Sequence, residues 1–254
     1  VVALLSLIAT LPKLTPTLQG RIAFQSDRDG NWEIYVMDTG GSQQTRVTYD
    51  PGEDWVPEWV PPQAGATASQ LVLASNRGEG WHIYLLDLRP GATGATVIKL
   101  SRGTENNRDP VVSPDARTLA FSALDGRQRE VYLMDLDTGE TTNVTQHPAE
   151  DWIPSWSPDG RQLAFVSDRD GHLNIYRLDL ESGSVSKLTH HPADDWVPAW
   201  SPDGRYLAFQ SNRDRNWEIY VIDLITGKLR NLTNHPADDW DPAWSPDAQR
   251  IVFM

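Results

Sequence analysis

Three short apolar runs recur along this chain in a fixed order, each closed by a polar break. Leu163-Ala164-Phe165 is followed by Ile175-Tyr176 with Asp179-Leu180, and then by Lys187-Leu188-Thr189. The same order stands at Ile22-Ala23-Phe24, Trp32 to Asp38 and Gln44 to Thr48, at Leu71, Ile83 and Val97, at Leu119, Val131 and Asn143, and at Leu207, Ile219 and Asn231. A further copy opens at Ile251-Val252-Phe253. The breaks carry Asp, Gly and Pro. Asp27-Arg28-Asp29-Gly30 between two apolar runs is a hairpin signal, because Gly accepts the positive φ of a tight turn. Short runs with turn residues between them predict strands, and no stretch keeps the period of a helix. The L-A-F and I-Y runs alternate poorly between apolar and polar, so both of their faces are expected to be packed.

Ahead of every L-A-F run but the first stands a longer block, in its fullest form Asp-Trp-[Val/Ile]-Pro-x-Trp-Ser-Pro-Asp-Gly. It reads Asp151 to Gly160, recurs as Asp195 to Gly204 and again as Asp239 to Ala248, each copy 44 residues after the last. Asp54-Trp55-Val56-Pro57-Glu58-Trp59 keeps the Trp pair, whereas Asn107-Arg108-Asp109-Pro110 keeps the Pro and loses both Trp. With this block as a strand, each unit holds four, and a repeat of this length with four strands is the period of propeller blades. Alternating polarity sorts the connections onto two rims. Ser-Pro-Asp-Gly turns share one. The Ser-Asp-Arg-Asp-Gly hairpins and the Asp-Trp segments share the other, which should be crowded with carboxylates from Asp27, Asp29, Asp54, Asp151, Asp168, Asp170, Asp194, Asp195, Asp238 and Asp239, interspersed with Arg28, Arg169 and Arg213.

Composition narrows the partners. Lys and Arg number 22 against 35 Asp and Glu, a net charge of −13, which disfavours a phosphate backbone as ligand. There is no Cys, so disulfides and thiolate metal sites are excluded. Of 11 Trp, eight lie in the repeated block. Val1 to Leu11 is an uncharged apolar run too short for the ~20 residues of a membrane-spanning helix. It reads as the remnant of a signal or membrane anchor, with a closing strand as the alternative.

Pro198-x-Trp200-Ser201-Pro202-Asp203-Gly204, Leu207-Ala208-Phe209, Ser211-x-Arg213, Ile219-Tyr220, Asp223 and Leu232-Thr233 together resemble the TolB-type, WD40-like propeller repeat, over about residues 20 to 254. The resemblance implies a six-bladed ring of four-stranded antiparallel blades with the Pro-x-Trp strand innermost. The expected chain is therefore all-β, with residues 1–18 as a separate apolar, Pro-containing segment and residues 19–254 as the propeller. Its first and last blades are expected to be incomplete, the first lacking an inner strand and the last its outer two. The resemblance also implies a periplasmic or otherwise extracytoplasmic protein, in contact with a membrane only through an N-terminal anchor.

Candidate chemistry is sparse. His147, His191 and His235 recur with the period, but copies spread around a ring are held apart, and turn residues are the better reading. Asp27 to Gly30 and Asp168 to Gly171 lack the distal Glu of a calcium loop. No Gly-x-Ser-x-Gly elbow or phosphate-cradling glycine loop occurs. Trp152, Pro154 and Trp156 are spaced to share one face of a strand. The second Trp of each pair is expected to pack between blades and the first to reach the rim. The sequence thus predicts a non-catalytic, monomeric scaffold without cofactor or metal. It would bind a protein or peptide through Asp54, Trp55, Arg108, Asp151, Trp152, Asp195, Trp196, Asp239 and Trp240. The alternative is the propeller of a larger peptidase-like enzyme or membrane-anchored sensor whose active domain lies elsewhere.

Overall fold

A computed structural model describes residues 5–7, 21–62, 69–88, 96–102, 106–126 and 128–254. The first sheet holds β1 (Leu5–Leu7), β2 (Arg21–Ser26), β3 (Glu33–Asp38) and β4 (Thr45–Arg46), and the second β5 (Asp54–Trp59), β6 (Ser69–Gly78), β7 (Gly80–Leu88) and β8 (Thr96–Lys99). The third holds β9 (Arg108–Val112), β10 (Thr118–Asp125), β11 (Gln128–Asp135) and β12 (Thr141–Asn143). The fourth and fifth repeat the plan with β13 (Asp151–Trp156), β14 (Gln162–Ser167), β15 (Asn174–Asp179) and β16 (Val185–Lys187), then β17 (Asp195–Trp200), β18 (Tyr206–Ser211), β19 (Glu218–Asp223) and β20 (Leu229–Asn231). A last sheet has two strands, β21 (Ala243–Trp244) and β22 (Ile251–Val252). All pairings are antiparallel meanders, so five sheets, not six, carry four strands.

The first strands lie side by side in the order β1, β5, β9, β13, β17 and β21, and β21 lies against β1. The inner strand expected to be missing from the first sheet is therefore present. Leu5 stands opposite Phe24 and Leu7 opposite Ile22. The rest of residues 1–18, on which the anchor reading also rests, lies outside the described residues.

Among the described residues the buried apolar side chains form four separate clusters. Apolar layers fill the space between successive sheets, Leu163 and Phe165 packing toward the third sheet while Ala164 packs toward the fifth. Leu163 to Val166 are wholly buried, which explains why this run does not alternate. Trp156 Nε1 donates to the Val111 carbonyl at 3.2 Å and Trp244 Nε1 to Ala199 at 3.0 Å, so these two Trp tie their sheets to the one before, whereas Trp59 and Trp200 are held by packing without such a bond. Thr189 Oγ1 accepts the Ile175 N–H at 3.0 Å, which gives the Leu-Thr ending of each unit its purpose.

A β-bulge interrupts β5, β9, β13 and β17. Trp152 pairs with Val166 and Trp156 with Leu163, a slip of one residue that puts the two Trp on opposite faces and not on the shared face their spacing predicts. The extra residue is left-handed, with φ of 53° at Val56, 53° at Asp109, 50° at Ile153, 47° at Val197 and 54° at Asp241. For a β-branched residue that is a strained conformation. It is held by the neighbouring sheet, since Gln25 Oε1 accepts the Val56 N–H at 2.8 Å, Ser122 Oγ that of Ile153 at 3.1 Å and Gln210 Oε1 that of Asp241 at 2.9 Å.

Candidate functional site

The Ser-Pro-Asp-Gly rim is built for turn-making. Ser157 Oγ donates to Asp159 Oδ1 at 2.6 Å and accepts the Gln162 N–H at 2.9 Å, and the Asp159 carboxyl is held below its usual range by the Ser157 bond first and the Arg161 N–H next. Gly204, at φ 72°, passes so close to the preceding turn that a Cβ would stand 3.3 Å from Pro158. These turns are scaffold.

On the opposite rim the structure separates the Asp-Trp pairs. Asp54, Asp151 and Asp195 are wholly buried, and Asp239 is 7% exposed. They do not crowd a surface. Arg77 Nη2 reaches both Asp54 oxygens at 2.8 Å, Arg169 Nη2 both Asp151 oxygens at 3.0 Å, and Arg213 Nη2 reaches Asp195 Oδ1 at 2.7 Å. Each pair lies within one sheet, joining its inner strand to the end of the second strand or the turn that follows it. The reason is the Ser-x-Arg turn: Arg169 Nε donates to Ser167 Oγ at 2.9 Å, which folds the side chain back over Tyr176, 4.6 Å from its ring centre. Burial raises the Asp151 carboxyl above its usual range even with Ser167 and Arg169 beside it. Asp168, Asp194 and Asp238 each accept a backbone N–H, from Glu150, Leu173 and Trp217. Much of the expected acidic surface is thus internal structure, and Asp27, Asp29, Asp170 and Asp238 supply its exposed part.

What remains at this rim is aromatic. Trp55, Trp152, Trp196 and Trp240 are half-buried at the starts of their inner strands. Sequence reasoning missed their companions Trp32, Trp81 and Trp217, which stand two residues before Ile-Tyr, at or just before the start of the third strand of their sheets. The signal was available, since these are the Trp outside the repeated block. Trp55 lies 6.2 Å from Trp32 and 5.1 Å from Trp81; Trp196 lies 6.4 Å from Trp152 and 6.2 Å from Trp217; Trp217 lies 5.0 Å from Trp240. Such edge and offset contacts are favourable ring geometries. Leu173 takes the hairpin position in the fourth sheet and Arg129 in the third, beside Arg108 on the inner strand. The Arg108 guanidinium stands 4.6 Å from the Trp81 ring centre and 5.8 Å from that of Trp55, so it continues the belt as a cation.

Inside the ring of first strands a channel of about 590 Å³ is lined by the left-handed residues and the prolines that follow them, from Val56-Pro57 round to Asp241-Pro242. Two of those positions are carboxylates, Asp109 and Asp241. Burial pushes Asp241 up to about 6, with the charge of Asp109 adding to it. Asp109 is also raised by burial, although Ser122, Arg129 and Arg108 act against it.

His147, His191 and His235 accept, through Nδ1, the N–H of Ala149, Ala193 and Ala237 at 3.1, 3.1 and 3.2 Å. They are turn residues. Among the described residues no three His, Asp or Glu gather as metal ligands. Asp27 to Gly30 and Asp168 to Gly171 are hairpin turns closed by Gly N–H bonds of 3.0 and 2.7 Å to the first Asp carbonyl.

A TolB beta propeller domain family model matches residues 82–197 and 190–254. The chain belongs to this family. It superimposes on TolB from Acinetobacter baumannii with a TM-score of 0.77 and 28% identity, covering 94% of this chain and 59% of that one. The chain thus spans about three fifths of that TolB's length. A putative TolB from Agrobacterium tumefaciens matches with a TM-score of 0.72 and 20% identity over 92% of this chain and 86% of that one. An oligogalacturonate lyase in complex with manganese matches at 0.60 and 18% over 92% and 82%, which shows a shared fold alone. No curated protein sequence matches the chain. Among the described residues no helix is long and apolar enough to cross a membrane.

Proposed function

We propose that this TolB-family propeller is a non-catalytic, extracytoplasmic scaffold that binds a protein or peptide partner through its tryptophan rim. The observation that carries this reading is the pair of half-buried Trp clusters on this rim, Trp32-Trp55-Trp81 and Trp152-Trp196-Trp217-Trp240, whose rings touch edge-on or tilted. Stiff aromatic side chains beside polar groups are how binding hot spots are built. Asp54, Asp151, Asp195 and Asp239 hold the strands beneath the belt and are not contacts; Trp55, Arg108, Trp152, Trp196 and Trp240 are, with Trp32, Trp81 and Trp217 beside them. Replacing Trp152, Trp196 and Trp240 together by Leu should reduce partner retention on the immobilised protein by more than about tenfold with the fold preserved. Equal retention by the variant and its parent removes the rim assignment.

We further propose that the ring is six-bladed, with β1 as the inner strand of the first blade. Beside β22 a groove of about 880 Å³ exposes Leu232, Ile251 and Phe253, where the other sheets place their third and fourth strands. At its base no Arg pairs with Asp239 among the described residues, in the position where its three counterparts meet Arg77, Arg169 and Arg213. A copy of residues 211–231 fused after Met254 continues the repeat in register and carries the missing Arg. It should raise the thermal midpoint by on the order of 5 °C, and Asp239→Asn should remove part of the gain. An unchanged midpoint counts against six blades.

A further inference from the structure

Around the tryptophan rim, the side chains at the starts of the inner and third strands run Trp32, Trp55, Trp81, Arg108, Arg129, Trp152, Leu173, Trp196, Trp217 and Trp240. Two are cations, and they are consecutive. Among the described residues neither forms an ion pair within 4.0 Å, in contrast to Arg77, Arg169 and Arg213. Arg108 Nε donates to Asn106 Oδ1 at 3.0 Å, and its guanidinium plane rests against Trp81. Arg129 Nη1 is buried and has no hydrogen-bond partner, and so are the indole N–H groups of Trp55 and Trp152. Burial lowers the pKa of Arg108, and the charge of Arg129 lowers it further, while Asp109 and Glu53 act in the opposite sense. The Asp109 carboxylate that faces both guanidiniums is engaged at Oδ2 by Ser122 Oγ, 2.7 Å away.

We propose that Arg108 and Arg129 form a carboxylate-binding point in this rim, and that they take the C-terminal carboxylate of a partner polypeptide whose last residue is apolar or aromatic. The proposal rests on the rim reading above and names the partner's chemistry. The two guanidiniums carry two charges against the single Asp109 carboxylate that faces them, and this surplus of donors suits a further group with two acceptor oxygens. The Trp faces on either side suit the last side chain. A partner rich in Asp and Glu would meet repulsion from a chain of net charge −13. A chain end carries its carboxylate whatever its composition, and that favours a terminus over an acidic segment.

The test uses three acetylated pentapeptides titrated by calorimetry into the full chain: Lys-Gly-Ser-Val-Phe with a free C-terminus, the same peptide amidated, and amidated Lys-Gly-Glu-Val-Phe. Binding of the free acid should weaken by about tenfold or more on amidation, and by a similar factor in Arg108→Gln and in Arg129→Gln. No binding of the free acid at millimolar concentration overturns the proposal. Equal binding of free acid and amide overturns it too, and if Trp152→Leu then weakens both, the rim reading stands alone. Equal binding of the free acid and the Glu peptide overturns the choice of a chain terminus. Comparison of the two termini on the parent protein decides the matter even if an Arg variant fails to fold.

Discussion

Replacing Arg169 with Met is expected to destabilise the protein by about 3–5 kcal/mol, because it strips the partner from a carboxylate that has no path to water. Asp151 is wholly buried and receives Arg169 Nη2 on both oxygens at 3.0 Å. Its pKa is already raised by burial with Arg169 in place. Without the cation it should rise further. A carboxylate whose folded pKa exceeds its unfolded value loses stability as pH climbs from the second to the first. The deficit of Arg169→Met should therefore be largest above neutrality and shrink as pH falls toward the ordinary aspartate value of ~4. Adding Asp151→Leu should recover much of the loss, since an apolar pair can fill the space of a buried ion pair without its desolvation cost. Denaturant unfolding of the three proteins at pH 5 and pH 8 checks this. A single variant that unfolds like its parent at pH 8 refutes the structural role given to the pair. The same reasoning covers Arg77 with Asp54 and Arg213 with Asp195.

That reassignment shows where the sequence was readable and where it was not. The strand pattern came through because burial on both faces erases alternation, and Leu163 to Val166 report this directly. The role of Trp156 came through because a large ring repeated once per blade needs a filled space on the neighbouring blade. The buried Asp did not. Asp beside Trp next to a loop reads as surface, and only the Ser-x-Arg turn, coiling Arg169 back over Tyr176, reveals the internal pair. The bulge was hidden for a related reason. A one-residue slip leaves no trace in composition, yet it reverses the face on which Trp152 lies and turns Val56, Ile153, Asp109 and Asp241 toward the channel. Arg129 escaped notice because its significance lies in its neighbours, which come from other strands.

Replacing Asp241 with Asn should stabilise the protein, and the gain should depend on pH in a way that identifies its cause. Asp241 lines the channel, its backbone is left-handed at φ 54°, and its carboxyl is pushed up to about 6 by burial and by Asp109. Nothing nearby lowers it. In the unfolded chain the group titrates near the ordinary value of ~4, so folding is penalised once pH exceeds that value, and the penalty levels off above about 6. Asn keeps the shape, tolerates the left-handed conformation and carries no charge. The expected gain is on the order of 2–3 kcal/mol at pH 8, declining through the window from about 6 to ~4 and absent at lower pH. Asp109→Asn should lower the Asp241 pKa and so reduce the gain from the second substitution, a coupling that a double-mutant cycle measures. Midpoints of parent and variant that stay parallel from pH 4 to pH 8 would place Asp241 in water and remove the electrostatic account of the channel. A gain that appears only above pH 4 would show that the ring keeps this weakly opposed carboxylate at a cost to stability, at the level where its inner strands meet.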